Sequence, residues 1–233
     1  MSLLVRLAGT FFPPVRTFRA IAERPLWVDA LITVLILTCL FTYFTFPFEQ
    51  KDSLRIVEEN EARLKAKWGE SGYASELESI MSRNRDLDAF LVTPLTALMG
   101  ILFSALIVLG IGRLVSTQGN YPQVFASLLH ASFVDKILGN GLRFILISRR
   151  PSIATASTSL LVFFPNLGTT STISSVLAQV DIFQLWMFCL FGLGLAATFK
   201  ISTKKGLVIS FSLWALRSAL TVALTFLRTS ALR

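Results

Sequence analysis

Long uninterrupted apolar runs are the feature that most constrains the fold of this chain. A bilayer has a hydrocarbon core about 30 Å thick, which a helix of about 20 apolar residues can cross. Such runs must be helical, because backbone groups in lipid have to be bonded within the segment. The sequence contains about five runs of this length, which we take as spans 1 to 5: residues 26–46, 89–115, 121–147, 182–199 and 207–227. The predicted fold class is therefore all-α, a polytopic membrane bundle of these transmembrane helices.

The composition supports a membrane protein and excludes other classes. Hydrophobic residues make up 53% of the chain and charged residues only 15%, whereas charged residues are about 25% of a soluble domain. The formal net charge is +8, but the basic residues follow no nucleic-acid-binding motif, so we expect anionic lipid head groups as their counter-charge. Cys39 and Cys189 both lie in apolar runs and predict no disulfide framework.

Residues 1–25 precede span 1 and predict an interfacial helix. Pro13 and Pro14 suit a helix start, and the following residues place Arg16 and Arg19 on one face and apolar side chains on another. The alternative is a short solvated segment that leads into span 1. We expect no signal peptide, because its apolar core would be shorter and nearer the start of the chain.

Residues 47–88 form a large polar segment between spans 1 and 2. Ten acidic and seven basic residues lie between Glu49 and Asp88. Gly69 predicts a helix end, and the sequence SELE at Ser75–Glu78 has the form of a capping box, so two short helices are expected. Charge of mixed sign favours an exposed helical hairpin over a dedicated binding site.

Lysines and arginines in the short flanks predict the orientation in the membrane. Several arginines precede span 1, and Lys200, Lys204 and Lys205 lie between spans 4 and 5. With five spans, this charge bias places the N-terminus and the lysine turn in the cytoplasm, and the polar hairpin and the C-terminus outside. Arg149 and Arg150 oppose the assignment.

Residues 148–181 connect spans 3 and 4 and are rich in Ser and Thr. No charged residue occurs from Pro151 through Val180. The apolar core of this loop, SLLVFFP, is too short to span, so the loop either lies at the outer interface or dips back between helices. The interfacial position is favoured over a re-entrant pore loop, because nothing in it resembles a selectivity filter.

Four ionisable residues lie within spans 3 and 5, where charge is costly and marks either function or pairing. They form a candidate intramembrane polar cluster, His130, Asp135, Lys136 and Arg217. If span 3 is one helix, Asp135 and Arg217 lie near mid-depth, and we expect them to pair. If the helix instead ends near residues 139–141, Asp135 lies in the outer interface. His130 and Asp135 do not share a helix face, so structural pairing is favoured over proton relay.

Span 4 carries small residues at four-residue spacing, which allow close approach of helices in lipid. The candidate helix-packing residues are Gly192, Gly194, Ala196 and Thr198. We favour packing against another span of the same chain. Packing against a second copy is the alternative, so the oligomeric state is left open.

Several stretches, together with the charged hairpin, resemble the Yip (Ypt/Rab-interacting protein) domain family in its bacterial-type branch. They are FFPPVRTFRAI, RPLWVDALI, GNYPQVFASLLHASFVDKILG and DIFQLWMFCLFGLGLAATFKISTKKGLVISFSLWAL, the strongest part being Asp181–Lys205. The resemblance implies a five-span integral membrane protein with a cytoplasmic N-terminus, here in a bacterial cytoplasmic membrane. For bacterial members it implies a fold and no established activity.

The sequence lacks the patterns that catalysis or metal binding requires. It has neither a nucleophile paired with a base nor an HExxH helix, and no residue lies at metal-ligand spacing from the single histidine. We therefore expect no catalytic residues, no metal and no cofactor. The predicted role is a scaffold that binds a membrane protein partner in the lipid bilayer, with a small transporter or channel using spans 3 and 5 as the alternative.

Overall fold

Helices make up almost all of the secondary structure in the computed structural model, which describes residues 1–149, 157–164, 167 and 171–231. Within these ranges the only strand-like pairing is an isolated antiparallel bridge between Ser159 and Asp181. The all-α prediction is confirmed. Arg150 and part of the predicted loop 148–181 lie outside the described residues, and the described part of this loop includes the short helix α9 (Thr172–Gln179).

Four helices among the described residues are long and apolar enough to cross a bilayer. They are α3 (Val28–Glu59), the helix Arg85–Arg113, α10 (Ile182–Phe199) and α11 (Thr203–Ala231). The second of these joins α5 (Arg85–Leu87), a π-helical turn (Asp88–Val92) and α6 (Thr93–Arg113). They correspond to predicted spans 1, 2, 4 and 5 and confirm a polytopic membrane protein.

The third predicted span is the central helix of the bundle. Here α7 (Tyr121–Phe133) continues through a π-helical segment (Val134–Gly139) into α8 (Asn140–Arg149). The helix thus runs on through residues 139–141. Every residue from Val124 to Asp135 is buried. This helix is surrounded, because α7 contacts α3, α6, α10 and the two N-terminal helices α1 (Leu3–Phe11) and α2 (Pro14–Glu23). Because protein surrounds this helix, its polar side chains can find partners inside the bundle.

The N-terminal segment forms two helices, α1 (Leu3–Phe11) and α2 (Pro14–Glu23), where the sequence predicted one. Pro14 begins α2, as expected for a residue without a backbone N–H. Phe18 and Ile21 are buried, and α2 contacts α7 and α10. The apolar face of α2 is therefore covered by the bundle, while Arg16 and Arg19 on its other face are exposed.

Contacts between helix ends show which loops and termini lie at the same end of the bundle. The Ser116 hydroxyl donates to the Phe199 carbonyl at 2.7 Å, and the Gln123 amide donates to the Ala22 carbonyl at 2.6 Å. The N-terminal helices and the lysine turn 200–205 therefore lie at one end. At the other end, the rings of Phe44 and Phe144 are 6.0 Å apart, and α8 lies near the start of α10.

The polar hairpin, residues 49–83, is called the arm below. It consists of the end of α3 and of α4 (Glu61–Met81), which folds back along it. Val57, Leu64 and Ile80 form a small hydrophobic cluster separate from the main core. The side-chain amide of Gln50 donates to the Ile80 carbonyl at 2.8 Å and ties the two helices together.

The helix break expected in the arm occurs, but the expected capping box does not form. Gly69 has φ 74° and ψ 175°, a left-handed φ that favours glycine and interrupts the helix. Ser75 lies inside α4, and Asn60 precedes the first residue of this helix. Residues on both sides of Ser75 are helical, so no free N-terminal N–H groups are present for its side chain to cap.

The two apolar helices α10 and α11 approach each other closely at glycines. A Cβ atom on Gly206 would lie 2.3 Å from the Gly192 carbonyl oxygen and 2.9 Å from the Ala196 nitrogen. A Cβ atom on Gly192 would lie 2.9 Å from the Leu207 Cα. These distances are below van der Waals contact, so the absence of a side chain is what lets the two backbones meet.

The other candidate helix-packing residues contact different helices of the same chain. A Cβ atom on Gly194 would lie 2.8 Å from the Ser127 Cβ and 2.9 Å from the Phe18 Cδ1. The hydroxyls of Thr198 and Ser127 are 3.4 Å apart. Residues of α10 thus contact α2, α7 and α11, all within one copy.

Candidate intramembrane polar site

Asp135 and Lys136 lie where the central helix changes from α to π geometry. A π-helical turn accommodates an extra residue and occurs often at functional sites. Just beyond it, a Cβ atom on Gly139 would be 3.0 Å from Asp135 Oδ1 and 3.1 Å from Arg143 Nη1. Gly139 therefore leaves room for these two charged side chains to meet.

Arg143 connects the carboxylates of two helices. Its Nη2 lies 2.9 Å from Asp135 Oδ1 and 3.0 Å from Asp181 Oδ2. The contact with Asp135 is an ion pair whose angle falls outside hydrogen-bond geometry. Arg143 also donates from Nε to the Thr158 hydroxyl at 3.1 Å and from Nη1 to Asn140 Oδ1 at 3.0 Å. We call these five residues the Arg143 network.

Asp181 caps the N-terminus of α10 and also pairs with Arg143. Its Oδ1 accepts from the backbone N–H of Phe183 at 2.9 Å and of Gln184 at 3.1 Å, and its Oδ2 accepts from the Thr158 hydroxyl. Burial raises the pKa of the Asp181 carboxyl, but the bonds from Thr158 and Arg143 outweigh it and lower this pKa below its usual value. A lowered folded-state pKa stabilises the protein above the unfolded-state value, and the gain is lost as the pH falls through the folded-state pKa.

The expected pair of Asp135 with Arg217 does not form. Asp135 instead pairs with Arg143, and the nearest cation besides is Lys136, whose Nζ lies 3.8 Å from Asp135 Oδ2. In a regular α-helix, residues eight apart differ by about 80° around the axis, but one extra residue in a π turn reduces the difference to about 20°. The sequence gives no signal of a π turn, which is why Arg143 was missed as the partner.

A cavity of about 400 Å³ lies between α3, α6, α7, α10 and α11. Asp135, Lys136 and Arg217 line it, so the structure brings three of the four candidate cluster residues together. The hydroxyl-bearing residues of its wall are Thr38, Thr93, Thr96, Ser104 and Ser132. Arg217 is exposed and forms no ion pair within 4 Å among the described residues.

His130, the fourth residue, lies outside this cavity. Its Nε2 accepts from Arg6 Nε at 3.1 Å and its Nδ1 lies 2.7 Å from the Ala126 carbonyl oxygen. Nδ1 must therefore carry the proton, which makes the ring the neutral Nδ1–H tautomer. Arg6 is only 2% exposed and also pairs with Asp29. His130 thus fastens α1 to the bundle, through an arginine that the sequence placed in an interfacial segment.

The chemistry available in the cavity is anion binding. Two cations, Lys136 and Arg217, and one carboxylate, Asp135, line the cavity, which leaves an excess of positive charge. Among the residues that the structure describes, no group of three or more His, Cys, Asp or Glu side chains could hold a metal ion.

The chain was compared with known families, curated proteins and solved structures. A profile described as the Yip1 domain matches residues 8–224. This match includes the residues that line the cavity and the entire arm. No curated protein and no solved structure matches the chain.

Proposed function

The chain belongs to the Yip1 domain family, and on that premise we propose that it is a non-enzymatic membrane scaffold whose arm binds a partner protein. The observation that carries this proposal is the arm itself. It is a folded unit with its own hydrophobic cluster. At its base Arg83 pairs with Glu49 of the arm at 3.3 Å and with Asp88, outside the arm, at 2.8 Å.

Trp68 is the contact point we propose on the arm. Trp68 is 42% exposed and is the residue immediately before the helix break at Gly69. Tryptophan is enriched at the centres of protein interfaces, where a buried ring contributes a large share of the binding energy. The surrounding arm has an excess of acidic residues, which favours a partner with a basic rim.

The proposed location is a bacterial cytoplasmic membrane with the N-terminus in the cytoplasm. Arg16, Arg19 and the lysine turn 200–205 all lie at the same end of the bundle, which agrees with the tendency of basic flanks to remain on the cytoplasmic side. The arm and the C-terminus then lie outside.

Replacing Trp68 by alanine is expected to reduce capture of the partner at least about tenfold, because loss of an interface hot spot costs about 2 kcal/mol or more. The measurement is crosslinking in native membranes, followed by affinity purification and quantitative mass spectrometry. Lys67→Ala, which changes an exposed neighbour, is the matched control and should retain the partner. Capture at the wild-type level by Trp68→Ala and by a chain without residues 49–83 would show that the arm is not the binding surface.

The cavity favours a second candidate function, transport of an anionic solute. Lys136 and Arg217 line it and fall near the middle of predicted spans 3 and 5, where ionisable groups often mark a solute path. In proteoliposomes, anion flux above that of empty vesicles should then fall when Arg217 is replaced by glutamine. Absence of flux in the wild-type protein would rule this function out and would leave the scaffold proposal unaffected.

A further inference from the structure

We propose that the cavity binds an oxyanion of the phosphate class between Lys136 and Arg217, supplied by the head group of an anionic lipid. This site is separate from the arm and does not depend on the scaffold role.

Arg217 lies too deep for its charge to be solvated easily by water at the membrane surface. At a rise of 1.5 Å per residue it is about 18 Å along α11 from Lys205 and about 15 Å from Leu227, within a hydrocarbon core about 30 Å thick. A charged side chain at this depth requires a counter-charge or water within the bundle. No carboxylate of the described residues lies within ion-pair distance of its guanidinium.

The carboxylates near the cavity are already engaged. Asp135 pairs with Arg143 at 2.9 Å, and Asp181 pairs with the same arginine at 3.0 Å. Asp135 is thus shared between Arg143 and Lys136, whose Nζ lies 3.8 Å from Asp135 Oδ2, and Arg217 has no carboxylate partner among the described residues. Lys136 and Arg217 therefore face one cavity as like charges whose repulsion this single shared carboxylate offsets only in part. A phosphate group would relieve the repulsion and accept hydrogen bonds from both side chains.

Three of the five hydroxyl groups in the cavity wall already donate hydrogen bonds within the protein. The hydroxyls of Thr38, Thr96 and Ser132 donate to backbone carbonyls of their own helices at 2.8, 2.9 and 2.7 Å. The side-chain donors left for a bound anion are Lys136, Arg217 and the hydroxyls of Thr93 and Ser104. The two charged donors are both cations, so we expect the site to prefer anionic over zwitterionic head groups.

The open side of the cavity favours a lipid as the source of the oxyanion. Thr96 and Gly100 on α6 and Arg217 on α11 all line the cavity and are exposed at the lateral surface of the bundle. Gly100 leaves this opening unobstructed, because no atom lies within 4 Å of the position that its Cβ would occupy. A head group could therefore enter between α6 and α11 from the bilayer.

Native mass spectrometry of the full chain tests the site. Protein equilibrated with vesicles of phosphatidylglycerol and phosphatidylethanolamine should retain one phosphatidylglycerol, and Arg217→Gln should reduce that retention more than tenfold. Lys51→Gln removes an equal charge from the exposed surface of the arm and should retain the lipid. Equal retention by wild type and Arg217→Gln, or equal retention of both lipids, would overturn the proposal.

A second pair of variants addresses the case in which Arg217→Gln fails to fold. At both Gly100 and Gly110, on the same helix, an added Cβ would meet no atom within 4 Å, but only Gly100 lines the cavity. Gly100→Leu therefore adds bulk at the cavity wall, whereas Gly110→Leu adds it elsewhere. We expect the first to lose the lipid and the second to keep it. If both keep it, the lipid binds elsewhere and the proposal fails.

Titration of delipidated protein with inorganic phosphate distinguishes the two sources of the anion. Phosphate binding that is lost in Arg217→Gln, together with selective retention of phosphatidylglycerol, supports a lipid site that recognises the phosphate group. Phosphate binding without lipid retention would assign the site to a free anion and overturn the lipid source. Binding of neither would overturn the site itself.

Discussion

Replacing Gly206 by leucine is expected to prevent α10 and α11 from packing and to lower the melting midpoint by about 6–12 °C. Even the first side-chain atom would lie 2.3 Å from the Gly192 carbonyl oxygen, and backbone atoms cannot move aside as a flexible side chain can. Overpacking costs about 1–3 kcal/mol and occasionally more, and about 3 kcal/mol corresponds to such a shift for a chain of this size. Size-exclusion chromatography of heated, detergent-solubilised protein measures the midpoint.

Gly110→Leu is the control for this prediction. It introduces the same side chain into another apolar helix, at a glycine with no atom within 4 Å of the added Cβ. Its midpoint should remain within a few degrees of the wild-type value. A Gly206→Leu protein as stable as Gly110→Leu would mean that α10 and α11 do not meet at this point.

Replacing Arg143 by glutamine is expected to destabilise the protein by about 3–5 kcal/mol, the range for removing one partner of a buried ion pair. Asp135 and Asp181 have side chains only 12% and 6% exposed, so the change would leave two buried carboxylates without their shared cation. Equilibrium unfolding in mixed micelles of increasing SDS content provides the free energy of unfolding. Adding Asp135→Asn to Arg143→Gln should recover part of the loss, because one of the two negative charges is then removed.

Arg55→Gln provides the contrasting case of a surface arginine. Arg55 is 49% exposed and pairs with Asp52 at 3.2 Å and Glu59 at 3.8 Å. Exposed ion pairs contribute about 0–1 kcal/mol, so this variant should unfold almost as the wild type does. Similar losses for Arg55→Gln and Arg143→Gln would contradict the assignment of a buried network to Arg143.

The apolar helices could be predicted because lipid imposes a local rule on the sequence. Each of α3, α10 and α11 must hydrogen-bond its own backbone groups and present apolar side chains to lipid. Length and hydropathy therefore suffice to find these helices in the sequence. The same logic explains why the central helix was harder to interpret. Neighbouring helices surround α7, and its polar residues reflect protein contacts that hydropathy does not encode.

The sequence could predict the type of partner that a buried charge requires, but not which residue supplies it. The cost of charge in a membrane indicates that Asp135 requires a cation, but the choice between Arg217 and Arg143 depends on one extra residue in a π-helical turn. In the same way, the partner of His130 is Arg6, 124 residues away along the chain. Neither pairing can be predicted from the periodicity of the sequence.

The fold class, an all-α polytopic membrane protein, follows from the length of the apolar runs, because a run of about 20 apolar residues bonds its own backbone in lipid as a helix. The residues of the chain also indicated the resemblance to the Yip domain family. Three features follow from contacts between helices alone: the central position of one helix, the pairing of carboxylates with arginines, and the cavity that Lys136 and Arg217 share. These features depend on distances between segments far apart in the chain, and the residue pattern within one helix does not determine such distances.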